Sequence, residues 1–204
     1  MREHYFTGQP DAPHRPGLVH VVLPDVHLAL RTDGGMFSPG RLDPGTRLLL
    51  ETAPPPPAAG DLLDLGCGYG PLALVLAARS PGAQVWAVDV NERALELCAD
   101  NATQAGLGNV RCVRPGDPGL PGQFALIWSN PPIRIGKAAL HALLLQWLPR
   151  LRAGGEAYLV VQRHLGADSL HAWLVAALDE HAVVERAGSA KGYRVLRVTA
   201  RTAA

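Results

Sequence analysis

From Asp61 onward the sequence settles into a regular alternation that few folds can accommodate. Short apolar runs at Leu62 to Leu65, Gln84 to Val88, Val110 to Val113, Phe124 to Trp128 and Ala157 to Val161 are interleaved with segments of helical character near 71–79, 91–105, 137–152 and 169–180. Runs of four to six apolar residues separated by helices read as strands buried on both faces, which is the signature of a parallel sheet covered by helices on both sides. Right-handed crossovers then leave a doubly wound α/β sheet as the expected architecture. The segment after Asp168 is the clearest helix. Leu170, Trp173, Leu174, Ala177 and Leu178 follow the i, i+3, i+4, i+7, i+8 spacing, with Asp168 expected as its N-cap. Two further strands, Ala182 to Glu185 and Tyr193 to Val198, joined by a loop containing Gly188 and Gly192, predict a closing antiparallel hairpin and seven strands in all.

The preceding 57 residues are organised differently. Leu18 to Leu23 and Val26 to Arg31 flank Pro24-Asp25 and predict a short β-hairpin, while residues 43–52 predict a helix that must end before the four prolines 54–57. Residues 1–57 are thus expected to form an arm packed on a core of residues 58–204, the whole making one domain. A chain of 204 residues buries roughly 70% of its extended surface, so no disulfide, metal or partner is needed to account for folding. Cys67, Cys98 and Cys112 are far apart, odd in number and without a Cys-x-x-Cys pair, and the eight histidines show no ligand spacing, so no metal is expected. With 19 basic and 18 acidic residues the net charge is +1, which excludes a strongly basic nucleic-acid coat. A weak basic cluster, Arg186, Lys191, Arg194, Arg197 and Arg201, lies near the C-terminus, where phosphate contact and a solvated hairpin face are equal alternatives. No apolar run approaches the ~20 residues of a membrane span, and the polar, proline-rich first sixteen residues resemble neither a signal nor a transit peptide. The expectation is a cytoplasmic protein with no membrane association, monomeric or homodimeric.

Ligands of a doubly wound sheet bind at the carboxyl ends of the strands, and three segments there carry chemistry. The first expected core strand runs into Asp64-Leu-Gly-Cys-Gly-Tyr-Gly70-Pro71. Glycines at 66, 68 and 70 permit a tight turn and close backbone approach to a ligand, and Pro71 suits the first position of a helix. The spacing differs from the Gly-x-Gly-x-x-Gly of dinucleotide sites. Nineteen residues beyond Gly70, Val88-Asp89-Val90-Asn91 places a carboxylate where two ribose hydroxyls can donate to it, so turn and acid together indicate an adenosine-bearing cofactor. The fourth strand ends in Ser129-Asn-Pro-Pro-Ile133. Two prolines stiffen this loop, leaving the Asn130 amide and nearby carbonyls able to accept hydrogen bonds from a planar amino group.

These segments, with Val88-Asp-Val-Asn-Glu-Arg-Ala94 and Ser129-Asn-Pro-Pro-Ile-Arg-Ile-Gly-Lys137, resemble class I S-adenosylmethionine-dependent methyltransferases. The resemblance is to the small-subunit rRNA guanine methyltransferase C family and its short, single-domain bacterial relatives. His4-Tyr-Phe6, Thr32 to Ser38, Leu42 to Leu48, Val161-Gln162 and Lys191-Gly-Tyr193 extend it over nearly the whole chain. The resemblance implies a Rossmann-like fold with S-adenosylmethionine as cofactor. Gly66, Gly68 and Gly70, with Cys67 between them, would face its methionine part, and Asp89 with Val90 its ribose. Asp64 would orient the loop or hold the cofactor amine, Phe37 and Ser38 would close over the cofactor, and Asp117 would meet the adenine amino group. Asn130, Pro131, Pro132 and Ile133 would form the catalytic loop that holds the acceptor amine. The implied reaction is a one-step methylation of the 2-amino group of a guanine in 16S rRNA, naked or within the assembling 30S subunit.

Ile133 stands where glutamine and adenine methyltransferases with Asn-Pro-Pro usually carry Tyr or Phe, which removes base stacking at that position. The longer members' second, degenerate domain has no counterpart here, so substrate capture is expected from the core, the arm or the ribosomal particle. Two alternatives stand beside the rRNA reading: a protein glutamine methyltransferase acting on release factors, and a non-catalytic cofactor- or RNA-binding module on the same fold.

Overall fold

A computed structural model describes residues 15–34 and 41–202. Its centre is a seven-stranded sheet of order β5-β4-β3-β6-β7-β9-β8, in which β3 (Ala59–Leu65), β4 (Gly82–Val88), β5 (Val110–Val113), β6 (Phe124–Ser129) and β7 (Leu151–Gln162) run parallel. The antiparallel pair β8 (Ala182–Ala190) and β9 (Tyr193–Ala200) closes one edge, β9 pairing with β7. This is the expected α/β, Rossmann-like, mostly parallel seven-stranded sheet with its C-terminal hairpin. The chain order reverses direction between β3 and β6, so the carboxyl ends of these two strands flank the switch point at which such sheets bind ligands. The inner strands β3, β4 and β6 are largely apolar on both faces because both are covered. One core gathers Leu62, Leu74, Leu76, Val85 and Trp128 on one side of the sheet, and the other gathers Leu63, Ile127, Trp147, Leu159 and Leu174.

Helices α2 (Pro71–Arg79), α3 (Glu92–Gln104), α4 (Lys137–Trp147) and α5 (Ala167–Ala177) follow the periodicity closely, with three differences. The helix predicted to reach 152 stops at Trp147. Pro149 lacks the amide a continuing helix requires, so Leu148–Arg150 form a single tighter turn and β7 begins at Leu151. In α5 the N-cap is Gly166 at φ 100°, while Asp168 lies in the first turn and pairs with Arg194 and Arg186. Gly188 belongs to β8, where it marks a register shift, and the turn is only Lys191-Gly192, both at positive φ (48° and 81°). The C-terminal cations are largely engaged within the protein. Arg197 pairs with Glu185 and Glu156, and Arg201 donates to the Asp179 carbonyl (3.3 Å). That favours the solvated hairpin face over a free phosphate site.

The hairpin of β1 (Gly17–Val22) and β2 (His27–Thr32) forms as expected, and α1 (Pro44–Thr52) follows it with Asp43 as N-cap. Val19, Val21, Leu23, Val26 and Leu30 are buried in the same core as Leu49 and Leu74. Burial of each such side chain is worth about 1.5–3 kcal/mol, against about 0–1 for an exposed ion pair such as Arg79 with Asp25 (2.7 Å), so apolar packing holds the hairpin in place. Asn101, on α3 and fully buried, adds a specific bond. It accepts from the Arg31 amide (2.8 Å) and donates to the carbonyls of Arg31 (2.9 Å) and Tyr69 (2.9 Å), joining the hairpin to the glycine turn. Among the described residues no helix is long and apolar enough to cross a membrane.

Candidate active site

The carboxyl ends of β3, β4 and β6 open into a cleft of about 560 Å³. Its floor is the turn after β3. Gly66, Gly68 and Gly70 have φ of 78°, 55° and 95°, a left-handed run that residues with a Cβ rarely adopt. Gly66 has open space where a Cβ would project, while at Gly70 a Cβ would lie 2.6 Å from Cys98 Sγ and Leu74 Cδ1. Thus Gly66 and Gly68 present bare backbone to the cleft, and Gly70 lies beneath it as the N-cap of α2. The turn is tied down by the Gly66 and Cys67 amides, which donate to the Val88 carbonyl (2.8 and 3.1 Å). Cys67 lines the cleft with its thiol held protonated: a hydrogen bond with Cys98 lowers its pKa, but burial and the nearby charges of Asp89 and Asp64 together outweigh that and push it up to about 12.

Two carboxylates meet at this turn. Asp89, just past β4, accepts from the Gly68 amide (2.9 Å) and the Asn91 amide (3.0 Å), so it staples the glycine turn to the end of the neighbouring strand. Burial raises its pKa, opposed by those amides. Asp64 accepts from the Ala73 amide through Oδ2 (2.8 Å), whereas its Oδ1 is buried with no hydrogen-bond partner among the described residues. Burial pushes its pKa up to about 8, against the pull of the Ala73 amide and helped by the charge of Asp89. A buried acceptor left open at the lip of a bare-backbone turn suits a ligand that carries a cationic donor.

The loop after β6, the strand next to β3, lines the same cleft. Ser129 is buried and donates to the Leu65 carbonyl (2.7 Å), locking β6 to β3 and leaving its hydroxyl no nucleophilic role. Pro132 has φ −74° and ψ 73°, and the Ile133 amide donates to the Pro131 carbonyl (2.8 Å), so the two prolines form an inverse γ-turn that fixes the loop. The Asn130 amide nitrogen donates to Asp43 Oδ1 (2.9 Å) and to Thr46 Oγ1 (3.0 Å), which turns Oδ1 of Asn130 away from these partners. Asp43, Thr46 and Tyr193 are cleft residues for which the sequence supplied no role. Tyr193, opening β9, packs its ring where a Cβ on Gly45 would lie 2.7 Å from Cδ1, and so brings an aromatic surface into the cleft that contains Ile133. Arg41 and Arg134 also line the cleft.

The structure therefore brings together Asp64, Gly66, Cys67, Gly68, Asp89, Asn130, Pro131, Pro132 and Ile133. Val90 is adjacent to Asp89 but outside the lining. Asp117 lies apart, in a shallow groove with Trp86 and Arg111, where it accepts from the Gly119 amide (2.8 Å) and shapes its own loop. Phe37 and Ser38 lie outside the described residues. No group of three or more His, Cys, Asp or Glu side chains among the described residues is arranged to hold a metal.

A doubly wound sheet with a glycine turn, a carboxylate after the second core strand and an Asn-Pro-Pro loop after the fourth defines a class I S-adenosylmethionine-dependent methyltransferase. The family model for the methyltransferase small domain matches residues 27–197, and the chain belongs to that family. It is 36% identical over 200 residues to the uncharacterized protein YbxB of Bacillus subtilis, covering 97% of this chain and 98% of that one. It is 38% identical over 171 residues to ribosomal RNA small subunit methyltransferase C of Pseudomonas entomophila, covering 81% of this chain and 49% of the relative. The chain thus spans about half the length of its methyltransferase C relatives. A solved structure of the Thermus thermophilus 16S rRNA N2 G1207 methyltransferase (RsmC), in complex with AdoMet and guanosine, superposes with a TM-score of 0.78 at 26% identity, over 93% of this chain and 52% of that one.

Proposed function

We propose that the protein methylates the 2-amino group of a guanine in 16S rRNA, acting on the RNA or on the assembling 30S subunit. The observation that carries this reading is the Asn130 amide oxygen, held in an Asn-Pro-Pro loop that lines the same cleft as the unpartnered Asp64 Oδ1. The chemistry of the donor set fits S-adenosylmethionine: Asp64 Oδ1 for its ammonium, the backbone of Gly66 and Gly68 for its methionine part, and Asp89 for its ribose hydroxyls. Bound there, the cofactor supplies a methyl group already activated by a sulfonium, so the protein needs alignment more than a strong base.

The chain's own contribution falls on the acceptor. An exocyclic guanine nitrogen is a poor nucleophile because its lone pair is conjugated with the ring. Hydrogen bonds donated by that amine to Asn130 Oδ1, and to the remaining lone pair of the Pro131 carbonyl, favour a pyramidal nitrogen and stabilise positive charge developing on it. Tyr193 supplies a π face for a base flipped into the cleft, a step that costs a few kcal/mol. Arg41 and Arg134 place two cations at the same cleft for the flanking phosphates. The similarity to rRNA methyltransferase C supports this substrate over a release-factor glutamine.

Labelled S-adenosylmethionine incubated with the protein and either 30S subunits or a release factor tests the reading, with nucleoside mass spectrometry locating the product. Label in N2-methylguanosine supports it. Label in protein glutamine, or in neither fraction, overturns it.

Asp64 makes the site sensitive to pH. Its carboxyl is largely protonated at pH 7 in the free protein, and a cationic amine beside Oδ1 would favour the carboxylate. Binding of S-adenosylhomocysteine should therefore release up to one proton per molecule at pH 7, and affinity should rise with pH and level off above about 8. Calorimetry in buffers of different ionisation enthalpy measures that proton, and Asp64→Asn should abolish it. The stability of the free protein should run the opposite way. With a folded pKa above the unfolded value of 3.8, Asp64 makes the folded state lose stability as pH rises from about 4 to about 8, because the unfolded chain then holds fewer protons.

A further inference from the structure

We propose that Asp43 and Thr46 are positioning residues that make Asn130 a one-way clamp, presenting only an acceptor oxygen to the methyl acceptor; the inference rests on the methyltransferase reading above and extends it to substrate selection. An Asn side chain carries two donor hydrogens and one carbonyl oxygen, and free to rotate it can meet either a donor or an acceptor. Here both hydrogens are engaged. Asn130 Nδ2 lies 2.9 Å from Asp43 Oδ1 and 3.0 Å from Thr46 Oγ1, and Asp43 is in turn anchored by the Thr46 amide at 2.9 Å. Asp43 and Thr46 are only 5% and 4% exposed, so this arrangement is set in packed surroundings before any substrate arrives.

Two consequences follow from the chemistry. A flipped group that enters with an N–H toward Asn130 finds its oxygen, whereas one that enters with a ring nitrogen lone pair or a carbonyl meets that same oxygen and is repelled. The site therefore selects amino acceptors by polarity as well as shape. The Asp43 carboxylate also polarises the amide. A hydrogen bond donated to an anion draws electron density toward the amide oxygen, strengthening it as positive charge grows on the acceptor nitrogen.

Asp43 has a second duty, since its carboxylate caps α1 at the Thr46 amide. Asparagine caps a helix as well as aspartate does, so Asp43→Asn keeps the cap through Oδ1 and removes the charge. Asn130→Asp sets two carboxylates against each other where a donor met an acceptor. In the double variant Asp43→Asn/Asn130→Asp the charge repulsion is removed, the Thr46 hydroxyl can donate to the new carboxylate at 130, and an acceptor oxygen again faces the cleft.

The test measures kcat and KM on 30S subunits, calorimetric affinity for S-adenosylhomocysteine, and hydrogen exchange of the Asn130 side-chain amide by NMR. Cofactor affinity should be unchanged throughout. Loss of one preorganised polar contact typically costs about a hundredfold or more in turnover, and Asn130→Asp should lose that much in kcat. Adding Asp43→Asn should recover roughly tenfold or more of it, the sign that the two side chains are coupled and the repulsion between them is relieved. In the wild-type protein the Asn130 amide protons should exchange slowly, and Asp43→Ala should speed them. Failure of the double variant to recover activity, or free-amide exchange in the wild-type protein, overturns the clamp. The exchange measurement needs no substrate, so it decides the clamp even if 30S subunits are not the target and the guanine reading falls.

Discussion

Asn130→Ala should lower kcat for methyl transfer by about a hundred- to a thousandfold while leaving folding and cofactor affinity intact, the loss usual when one transition-state hydrogen-bond partner is removed. The structure gives reasons for all three parts of that result. The backbone of the loop does not depend on the side chain, because the inverse γ-turn at Pro132 and the Ser129 bond to Leu65 hold it. The Asp43 carboxylate keeps the Thr46 amide as a partner once Asn130 is truncated. Among the described residues the Asn130 side chain bonds to Asp43 and Thr46 and not to the carboxylates or glycines of the cofactor turn, which stay in place. Thermal unfolding, calorimetry with S-adenosylhomocysteine and single-turnover kinetics read the three quantities separately. Near wild-type turnover would remove Asn130 from the mechanism.

Asp89→Ala should be the most damaging change at the cofactor side. The sequence alone suggests a carboxylate that meets ribose hydroxyls; the structure adds that both of its oxygens already hold backbone amides, of Gly68 and Asn91. Truncation leaves two buried donors unpaired, at about 1–3 kcal/mol each, and frees the glycine turn as well as removing the ligand's partner. Affinity for S-adenosylhomocysteine should fall by roughly a hundredfold or more, with a lower unfolding temperature. Asp89→Asn keeps one acceptor oxygen and should fall between. Unchanged affinity of the alanine variant would detach Asp89 from the cofactor.

Much of the fold was legible because strands buried on both faces, such as β6, leave uninterrupted apolar runs, and β5 and α2 lie at the residues predicted for them. The misreadings have one physical source. Apolar residues continue through Leu148 and Leu151, so the pattern ran on as helix, and only the geometry of Pro149 marks where the chain turns back into β7. Gly188 likewise reads as loop, whereas in the structure it is a strand residue whose place would otherwise press on Thr52 Oγ1 and Cγ2. The site was legible where one strand end carries its own motif, at Asp64 to Gly70, Asp89 and Asn130 to Ile133. It was not legible where partners lie 84 and 87 residues apart, as Thr46 and Asp43 do from Asn130. Asp43-Pro44 already has a sufficient local explanation as a helix cap and first turn, and that local role hid the longer-range one.

The three bonds of Asn101 carry a further implication for how the molecule breathes. One amide side chain on α3 bridges β2 and the carbonyl of Tyr69, inside the glycine turn, so opening either segment leaves part of that buried amide unpaired. Local unfolding of the N-terminal hairpin and of the cofactor turn is consequently a linked equilibrium, a shared cooperative unit in place of two independent loops. A ligand that orders the turn therefore also steadies a hairpin it never touches, and by reciprocity whatever grips the hairpin tightens the turn by the same free energy.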